Sequence, residues 1–139
     1  MELLDRRGLP YRKVQGTTEP FPCADREFNH AICIEVLEHI KDPSSFLNEI
    51  TRVIRDRAMF SVPNLEVLPF LKDWEVVPWH LLEADHTNFF TRASLRKLLG
   101  QYFSRVEVFS YSEHPLHTRD GVALHLHLFA IADEPVRRA

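Results

Sequence analysis

The sequence predicts an α/β fold, and three observations support this. Ala31 to Ile34 is short and continuously apolar, as strands buried on both faces are, and Met59 to Val62 is another short, mainly apolar segment. A helical pattern of apolar residues lies between them. Further along the chain, two strand-like segments flank Asp120-Gly121, which is a turn signal. Strands that alternate with helices and end in a hairpin-like pair are typical of an α/β sheet.

The N-terminal part of the chain predicts short elements separated by loop residues. Met1 to Arg7 has the character of the last turns of a helix, which Gly8 would end. Tyr11 to Gln15 is a candidate short strand. Pro20 and Pro22 then indicate a loop, because proline cannot donate a backbone hydrogen bond to a neighbouring strand.

Two helix starts follow the strand Ala31 to Ile34. A first helix is expected to begin near Glu35 and to run towards Ile40. Asp42-Pro43 is a stronger start, with the aspartate as N-cap and the proline in the first helical position. The helix behind it would bury a stripe of apolar residues: Phe46, Leu47, Ile50, Val53 and Ile54.

The second half of the chain predicts a long loop, a helix and two strands. Residues 65–88 have poor periodicity, and they are interpreted as a long loop or lid that includes one helical turn. Thr91 is the expected cap of a helix. Arg105 to Tyr111 and Val122 to Ile131 are the last two predicted strands. Residues 1–139 together are expected to form a single, partial domain.

Composition and charge exclude several classes of protein. The chain has 139 residues, of which 45% are apolar and 27% are charged, as in an ordinary soluble domain. The net charge of −3 gives no footprint for binding duplex DNA. No apolar run approaches the ~20 residues of a membrane span. Cys23 and Cys33 form no CxxC pair, so a reduced, cytoplasmic setting is expected.

Three polar side chains, Glu35, Glu38 and His39, directly follow the first buried strand. On a helix these positions would share one face, at the end of a strand where open α/β sheets bind ligands. Two carboxylates and an imidazole suit a divalent metal ion, with His86 as the candidate fourth ligand. Two alternatives stay open. One is a metal-free active-site face with His39 as general base, and the other is charge that only stabilises a helix start.

An ordered set of motifs in the chain is similar to a known family. The chain contains, in this order, PFP, CIEVLEHIKDP, SVPN, DHTNFFTRASLRKLL and YFSRVEVF. From about Leu9 to Ile131, this order resembles the class I S-adenosylmethionine-dependent methyltransferases. The resemblance implies an incomplete Rossmann-like sheet with parallel strands and a late antiparallel strand, but without the family's first two strands. It also implies S-adenosylmethionine as the cofactor and transfer of its methyl group as the activity.

The resemblance extends to the polar cluster. Its Glu-x-x-Glu-His pattern resembles the metal-dependent O-methyltransferases of the ubiquinone pathway, and the later Asp-His resembles the small-RNA 3′-terminal 2′-O-methyltransferases. In both, a metal ion would bind substrate hydroxyls and lower their pKa. The resemblance implies metal ligands (Glu35, Glu38, His39 and His86), catalytic residues (His39 and Glu35) and cofactor-binding residues (Thr17, Thr18 and Ile34).

The chain departs from the family where the cofactor's methionine part would be held. A glycine-rich loop is missing, because no two of its four glycines are close together: Gly8, Gly16, Gly100 and Gly121. A truncated chain that does not catalyse alone is therefore expected. The two absent strands would also leave Ala31 to Ile34 as an unpaired edge, which favours aggregation. A second copy in a homodimer, another partner or Tyr11 to Gln15 is expected to cover that edge.

The expected function is O-methyl transfer from S-adenosylmethionine, with a small molecule as the first acceptor class and a ribose hydroxyl of RNA as the second. Two other hypotheses stay open. The first is a degenerate methyltransferase-fold subunit that binds or scaffolds without catalysis, since Thr17 and Asn29 stand where the family has acidic residues. The second is a metal-binding protein that no longer methylates.

Overall fold

The computed structural model describes Gly8, residues 20–78 and residues 82–136, and four strands within these residues form one mixed sheet. The strands are β1 (Phe28–Ile34), β2 (Ile54–Pro63), β3 (Phe103–His117) and β4 (Ala123–Pro135). Their order in the sheet is β1-β2-β4-β3. Strand β2 is parallel to β1, whereas β4 is antiparallel to both β2 and β3. The expected α/β fold, with parallel strands and a late antiparallel strand, is therefore confirmed.

Between the strands, the described residues form three helices and three single turns of 3₁₀-helix. The helices are α1 (Pro43–Val53), α2 (Leu68–Leu71) and α3 (Arg92–Leu99). The 3₁₀ turns are Leu37–His39, Leu65–Val67 and Lys72–Trp74. No helix in residues 20–78 and 82–136 is long and apolar enough to cross a membrane.

Both predicted helix starts with a capping side chain are confirmed. The carboxylate of Asp42 accepts a hydrogen bond from the backbone N–H of Ser44 at 3.0 Å, and Pro43 occupies the first helical position of α1. Thr91 caps α3 in a reciprocal arrangement with Ser94, in which each side chain accepts from the other residue's backbone N–H. These starts are specified by neighbouring residues alone, which is why the sequence reveals them.

The helix expected from Glu35 to Ile40 is wrong. Only Leu37–His39 is helical, as one 3₁₀ turn, and Glu35 has a positive φ of 51°. The backbone N–H of Glu35 donates to the carbonyl oxygen of Ser61 at 3.0 Å, which extends the β1–β2 pairing by one residue before the chain turns. Glu35 therefore does not share a helical face with Glu38 and His39.

The first part of the predicted loop 65–88 contains more helix than expected. Asn64 starts it, because its side-chain oxygen accepts from the backbone N–H of Glu66 at 3.0 Å. Leu71 is buried in a small apolar cluster with Leu124 of β4. The indole of Trp74 donates to the carbonyl oxygen of His117 at 2.8 Å. The segment therefore packs against the β3–β4 pair and is hydrogen-bonded to it. Its role as a lid stays a prediction.

The main core lies on one face of the sheet, beneath α1 and α3. Its members come from both helices and from the inward positions of the strands, among them Cys33, Leu47, Phe60, Leu95 and Leu128. Side chains alternate between the faces of a strand, so the neighbours of Cys33 point to the opposite face. There Ile32 is 62% exposed and Ile34 is 48% exposed.

Strand β1 is an edge strand of the described sheet, with β2 as its single neighbour there. The candidate cover Tyr11 to Gln15 and the predicted helix Met1 to Arg7 lie outside the described residues. Covering of this edge by a second copy or a partner stays a prediction.

Candidate active site at the carboxyl end of β1

Glu38, His39 and His86 meet just beyond the carboxyl end of β1, and these three residues are named the Glu38 cluster. One possible metal-ligating atom from each lies within 4.8 Å of the other two. The imidazole rings of His39 and His86 meet edge to face, with centroids 4.6 Å apart and an interplanar angle of 71°. The sequence therefore selected a pair of histidines that the fold brings together.

Backbone hydrogen bonds from the residues after His86 hold it beside the 3₁₀ turn Leu37–His39. The backbone N–H groups of Thr87 and Asn88 both donate to the carbonyl oxygen of Glu38, at 2.7 and 3.0 Å. The side-chain amide of Asn88 also donates to the carbonyl oxygens of Leu37 at 3.0 Å and Ile40 at 2.6 Å. These bonds satisfy the carbonyl groups of the turn and fix the register between the two segments.

Glu38 is an acid in an environment that disfavours its charged form. Its side chain is 1% exposed, and burial is the main cause that raises its pKa from 4.5 to about 7. The charge of the nearby Glu35 carboxylate raises this pKa further, while the charge of His39 lowers it. No N–H or hydroxyl group in the described part of the chain donates to either carboxyl oxygen of Glu38. These buried oxygens are well suited to a cation.

Asp85 is a candidate site residue that the sequence analysis did not select. Its Oδ2 atom lies 3.1 Å from Nδ1 of His39, in a geometry that does not make a hydrogen bond. The opposite ring nitrogen of His39, Nε2, faces Glu38 with 3.9 Å to Oε1. A carboxylate behind a histidine orients the imidazole and fixes which nitrogen is available. The feature of the sequence that could have indicated Asp85 is its position directly before His86.

Glu35 lies in a different set of contacts, named the Glu35 network, whose members are Glu35, Ser61, Tyr111 and His127. The hydroxyl of Ser61 donates to Oε1 of Glu35, and this hydroxyl oxygen is 2.6 Å from the phenol oxygen of Tyr111. The other carboxylate oxygen, Oε2 of Glu35, is 3.5 Å from Nε2 of His127. The ring of His127 packs against that of Tyr111, with centroids 5.4 Å apart.

The three partners of Glu35 were not predicted as site residues. Ser61 is in β2, Tyr111 in β3 and His127 in β4, so only the assembled sheet brings them together. Their alternation along each strand places them on the face opposite the main core. A polar residue within an apolar strand was the one signal in the sequence, and it does not specify a partner.

The residues expected to contact the cofactor are only partly described. Ile34 is the last residue of β1, at the sheet edge. The backbone N–H of Glu35 points towards β2, and the backbone groups of Ile34 face the unpaired side because successive residues alternate. Thr17 and Thr18 lie outside the described residues. Their role as cofactor contacts stays a prediction.

Comparison with known proteins gives one family and a group of similar structures. The family described as Methyltransferase domain matches residues 5–102. No curated protein matches the chain. A SAM-dependent methyltransferase from Thermotoga maritima, described as a possible histamine N-methyltransferase, aligns with a TM-score of 0.61 and 16% identity, over 95% of this chain and 67% of its own.

Two further structures show the same relationship. The YcgJ protein of Bacillus subtilis aligns with a TM-score of 0.57 and 14% identity, over 99% of this chain and 76% of its own. The small RNA methyltransferase HEN1 aligns with a TM-score of 0.52 and 19% identity, over 77% of this chain and 14% of its own. At these identities the likeness establishes a shared fold.

The family match covers more than half of the chain, residues 5–102, and includes most of the motifs that first indicated the resemblance. The structural matches agree with it, since they share the sheet and extend over most of this chain. The resemblance drawn from the sequence motifs is therefore confirmed. The chain belongs to the methyltransferase domain family, and its fold is that of S-adenosylmethionine-dependent methyltransferases.

Proposed function

We propose that the chain forms the acceptor side of an S-adenosylmethionine-dependent methyltransferase that methylates an oxygen atom of a small molecule. The observation that carries this is the Glu38 cluster. It combines a buried carboxyl group, whose oxygens have no N–H or hydroxyl donor among the described residues, with two imidazoles, directly after a parallel strand. Ligands of open α/β sheets bind at that end of the strands.

The spacing and the chemical type of the ligand atoms in the Glu38 cluster fit a divalent metal ion. Ligands bound to one ion at ~2.0–2.6 Å can be at most about 5 Å apart, and the cluster's ligand atoms lie within 4.8 Å of each other. One oxygen and two nitrogen donors suit several divalent metals. A bound ion would supply Lewis acidity that favours deprotonation of a substrate hydroxyl.

The chain's own residues would prepare such a site. The carboxylate of Asp85, 3.1 Å from Nδ1 of His39, would favour a proton on that nitrogen through its charge and leave Nε2 for the ion. Thr87 and Asn88 would keep His86 at the correct distance through their bonds to the 3₁₀ turn. In a metal-free reaction, His39 is the residue best placed to accept the acceptor's proton.

S-adenosylmethionine fits this chain only on one side. Ile34 offers an exposed side chain, and its backbone groups have no strand partner in the described sheet, which suits one wall of a cofactor site. The opposite wall in such folds depends on closely spaced glycines that let the backbone approach the ligand, and the 139 residues contain no such pair. We therefore assign the chain the acceptor side and derive no cofactor contacts beyond Ile34.

RNA is the second candidate acceptor. One of the matched structures is a small RNA methyltransferase, and the chain carries both the Glu-x-x-Glu-His pattern and the later Asp-His. A ribose presents two neighbouring hydroxyl groups, which a metal ion can bind together. The net charge of −3 favours a small molecule over an extended polyanion. Methylation assays with a catechol and with a short RNA in parallel would separate the two acceptors.

Titration calorimetry of the purified chain with S-adenosylhomocysteine, with and without Mn²⁺, tests the proposed function against a non-catalytic scaffold. Binding that Mn²⁺ strengthens would support a methyltransferase site. The specific observation behind the scaffold alternative is the missing glycine-rich loop. No binding of S-adenosylhomocysteine at millimolar concentration, together with no binding of Mn²⁺, would favour the scaffold.

A further inference from the structure

Glu35 lies between two groups of polar side chains, and its contacts favour the group on the sheet. Its charge acts on Glu38, so the two carboxyl groups are neighbours. Its direct hydrogen bond, however, comes from the hydroxyl of Ser61 in β2. Glu35 is also absent from the set of ligand atoms that converge within 4.8 Å in the Glu38 cluster.

The hydrogen bonds in the Glu35 network have a fixed direction. A serine hydroxyl carries one proton, and Ser61 donates it to Oε1 of Glu35. The 2.6 Å contact between Ser61 and Tyr111 must then be donated by the phenol. Tyr111 therefore polarises the Ser61 hydroxyl and strengthens its bond to the carboxylate. Ser61 is fully buried, so water does not readily replace either bond.

The backbone supports the same orientation of Glu35. Its φ of 51° is unusual for a residue other than glycine, and such conformations persist only where surrounding contacts maintain them. The N–H of Glu35 donates to the carbonyl oxygen of Ser61, so backbone and side chain are both bonded to this one residue. By contrast, Oε2 of Glu35 is buried without a hydrogen-bond donor in the described part of the chain. Only one of the two carboxylate oxygens is held.

We propose that Ser61 and Tyr111 are positioning residues that hold Oε1 of Glu35 in the sheet, so that both carboxylate oxygens of Glu35 can bind a metal ion only if Ser61 is released. This inference rests on the proposed function, because it assumes that the cluster binds an ion. It goes further by giving the chain two positions for one carboxylate. The ion must compete with a charge-assisted hydrogen bond for Oε1 of this carboxylate, which lowers the ion's affinity.

Substitution of Ser61 tests this competition directly. In Ser61→Ala the carboxylate of Glu35 is free to turn, and the affinity for Mn²⁺ measured by calorimetry should rise about tenfold, the order expected for loss of a charge-assisted hydrogen bond. Tyr111→Phe removes only the polarising bond and should raise the affinity by a smaller factor, about twofold to threefold. Circular dichroism and thermal unfolding establish that each variant is folded.

Glu35→Gln provides the matched control. A neutral amide is a poor ligand, so this variant should bind Mn²⁺ more weakly than the original chain. The Ser61→Ala substitution should then have no effect when it is combined with Glu35→Gln, because no carboxylate remains to be released. Unchanged or weaker Mn²⁺ binding in folded Ser61→Ala, with an intact Glu35, would overturn the proposal.

A spectroscopic readout separates this inference from the proposed function. The readout is the ¹³C NMR signal of Tyr111 in protein labelled at the tyrosine Cζ carbon, and the Tyr111→Phe variant identifies this signal. Addition of Mg²⁺ should shift the signal in the original chain and leave it unchanged in Glu35→Gln. Ion binding without this shift would overturn the positioning role and leave the metal site intact. Binding that His39→Ala and His86→Ala do not weaken, or no ion binding at all, would overturn the metal site and the inference together.

Discussion

The imidazole of His86 packs edge to face against that of His39, with ring centroids 4.6 Å apart. The two residues are far apart in the sequence: His39 ends the 3₁₀ turn Leu37–His39, and His86 lies outside the helices and strands. The contact arises because Thr87 and Asn88 bond to the backbone of the turn that carries His39. Beside the two imidazoles lies the buried carboxyl group of Glu38, whose oxygens have no hydrogen-bond donor in the described part of the chain. This relationship is the centre of the proposed site.

Substitution of either histidine should remove the metal site. His39→Ala and His86→Ala each delete one of three converging ligands, so the affinity for Mn²⁺ should fall at least about tenfold in calorimetric titration. His30 lies exposed on β1 and provides the control. His30→Ala should bind Mn²⁺ as the original chain does. Equal losses in all three variants would point to general destabilisation instead of a defined site.

Glu38 should make stability depend on pH. Its pKa is raised to about 7 in the folded protein, above the ordinary value of 4.5. The unfolded chain therefore releases this proton first as pH rises, and the free energy of unfolding should decline between about pH 4.5 and pH 7, by at most about 3 kcal/mol. Urea unfolding at pH 5 and pH 8 measures this decline. Glu38→Gln should abolish it and be more stable than the original chain at pH 8.

A bound metal ion should offset the loss of stability that deprotonation of Glu38 causes. Binding to the Glu38 carboxylate requires its deprotonation, so Mn²⁺ should raise the melting temperature more at pH 8 than at pH 5.5. Glu38→Gln should show little stabilisation at either pH. A larger stabilisation at the lower pH would contradict the assignment of Glu38 as a ligand.

Asn88 should be needed for both stability and ion affinity. Asn88→Ala leaves the carbonyl oxygens of Leu37 and Ile40 without their amide donor, at an expected loss of about 2 kcal/mol in the free energy of unfolding. His86 should also lose its fixed position, so Mn²⁺ affinity should fall. Asn29→Ala is the matched control, because it removes one exposed bond from Arg55 and should cost under about 0.5 kcal/mol.

The edge strand β1 predicts association. Ile32 is 62% exposed beside an edge that has no second neighbour in the described sheet, and such an edge pairs readily with another chain. Size-exclusion chromatography with light scattering should detect a dimer. Ile32→Lys should shift it towards monomer, while Val122→Lys, which is similarly exposed but lies outside the strands, should not. A monomeric original chain with rapidly exchanging β1 amides would contradict this prediction.

The predictable parts of the fold are those that neighbouring residues specify. Asp42-Pro43 and Thr91 each mark a helix start by interactions within three residues, and both are where the sequence indicates. The apolar cores of β1 and β2 were equally recognisable, although both strands extend beyond the predicted bounds. Family motifs supplied the topology, since local patterns alone do not order the strands of a sheet.

The position of Glu35 could not be predicted from local pattern. A helix from Glu35 to Ile40 would have been consistent with the spacing of the charges, but pairing with Ser61 in the next strand prevails. Its other partners, Tyr111 and His127, come from β3 and β4. Contacts between distant strands therefore decide which polar residues form the cluster. Of the four metal ligands that the sequence suggested, Glu38, His39 and His86 converge and Glu35 does not.

The most direct test of the central claim is a crystal structure of the chain grown with Mn²⁺, with anomalous scattering recorded near the manganese absorption edge. The account predicts one strong anomalous peak at ~2.0–2.3 Å from a carboxyl oxygen of Glu38 and from a ring nitrogen of both His39 and His86. A well-ordered Glu38 cluster with no anomalous peak at saturating Mn²⁺, or with the peak at other residues, would contradict it.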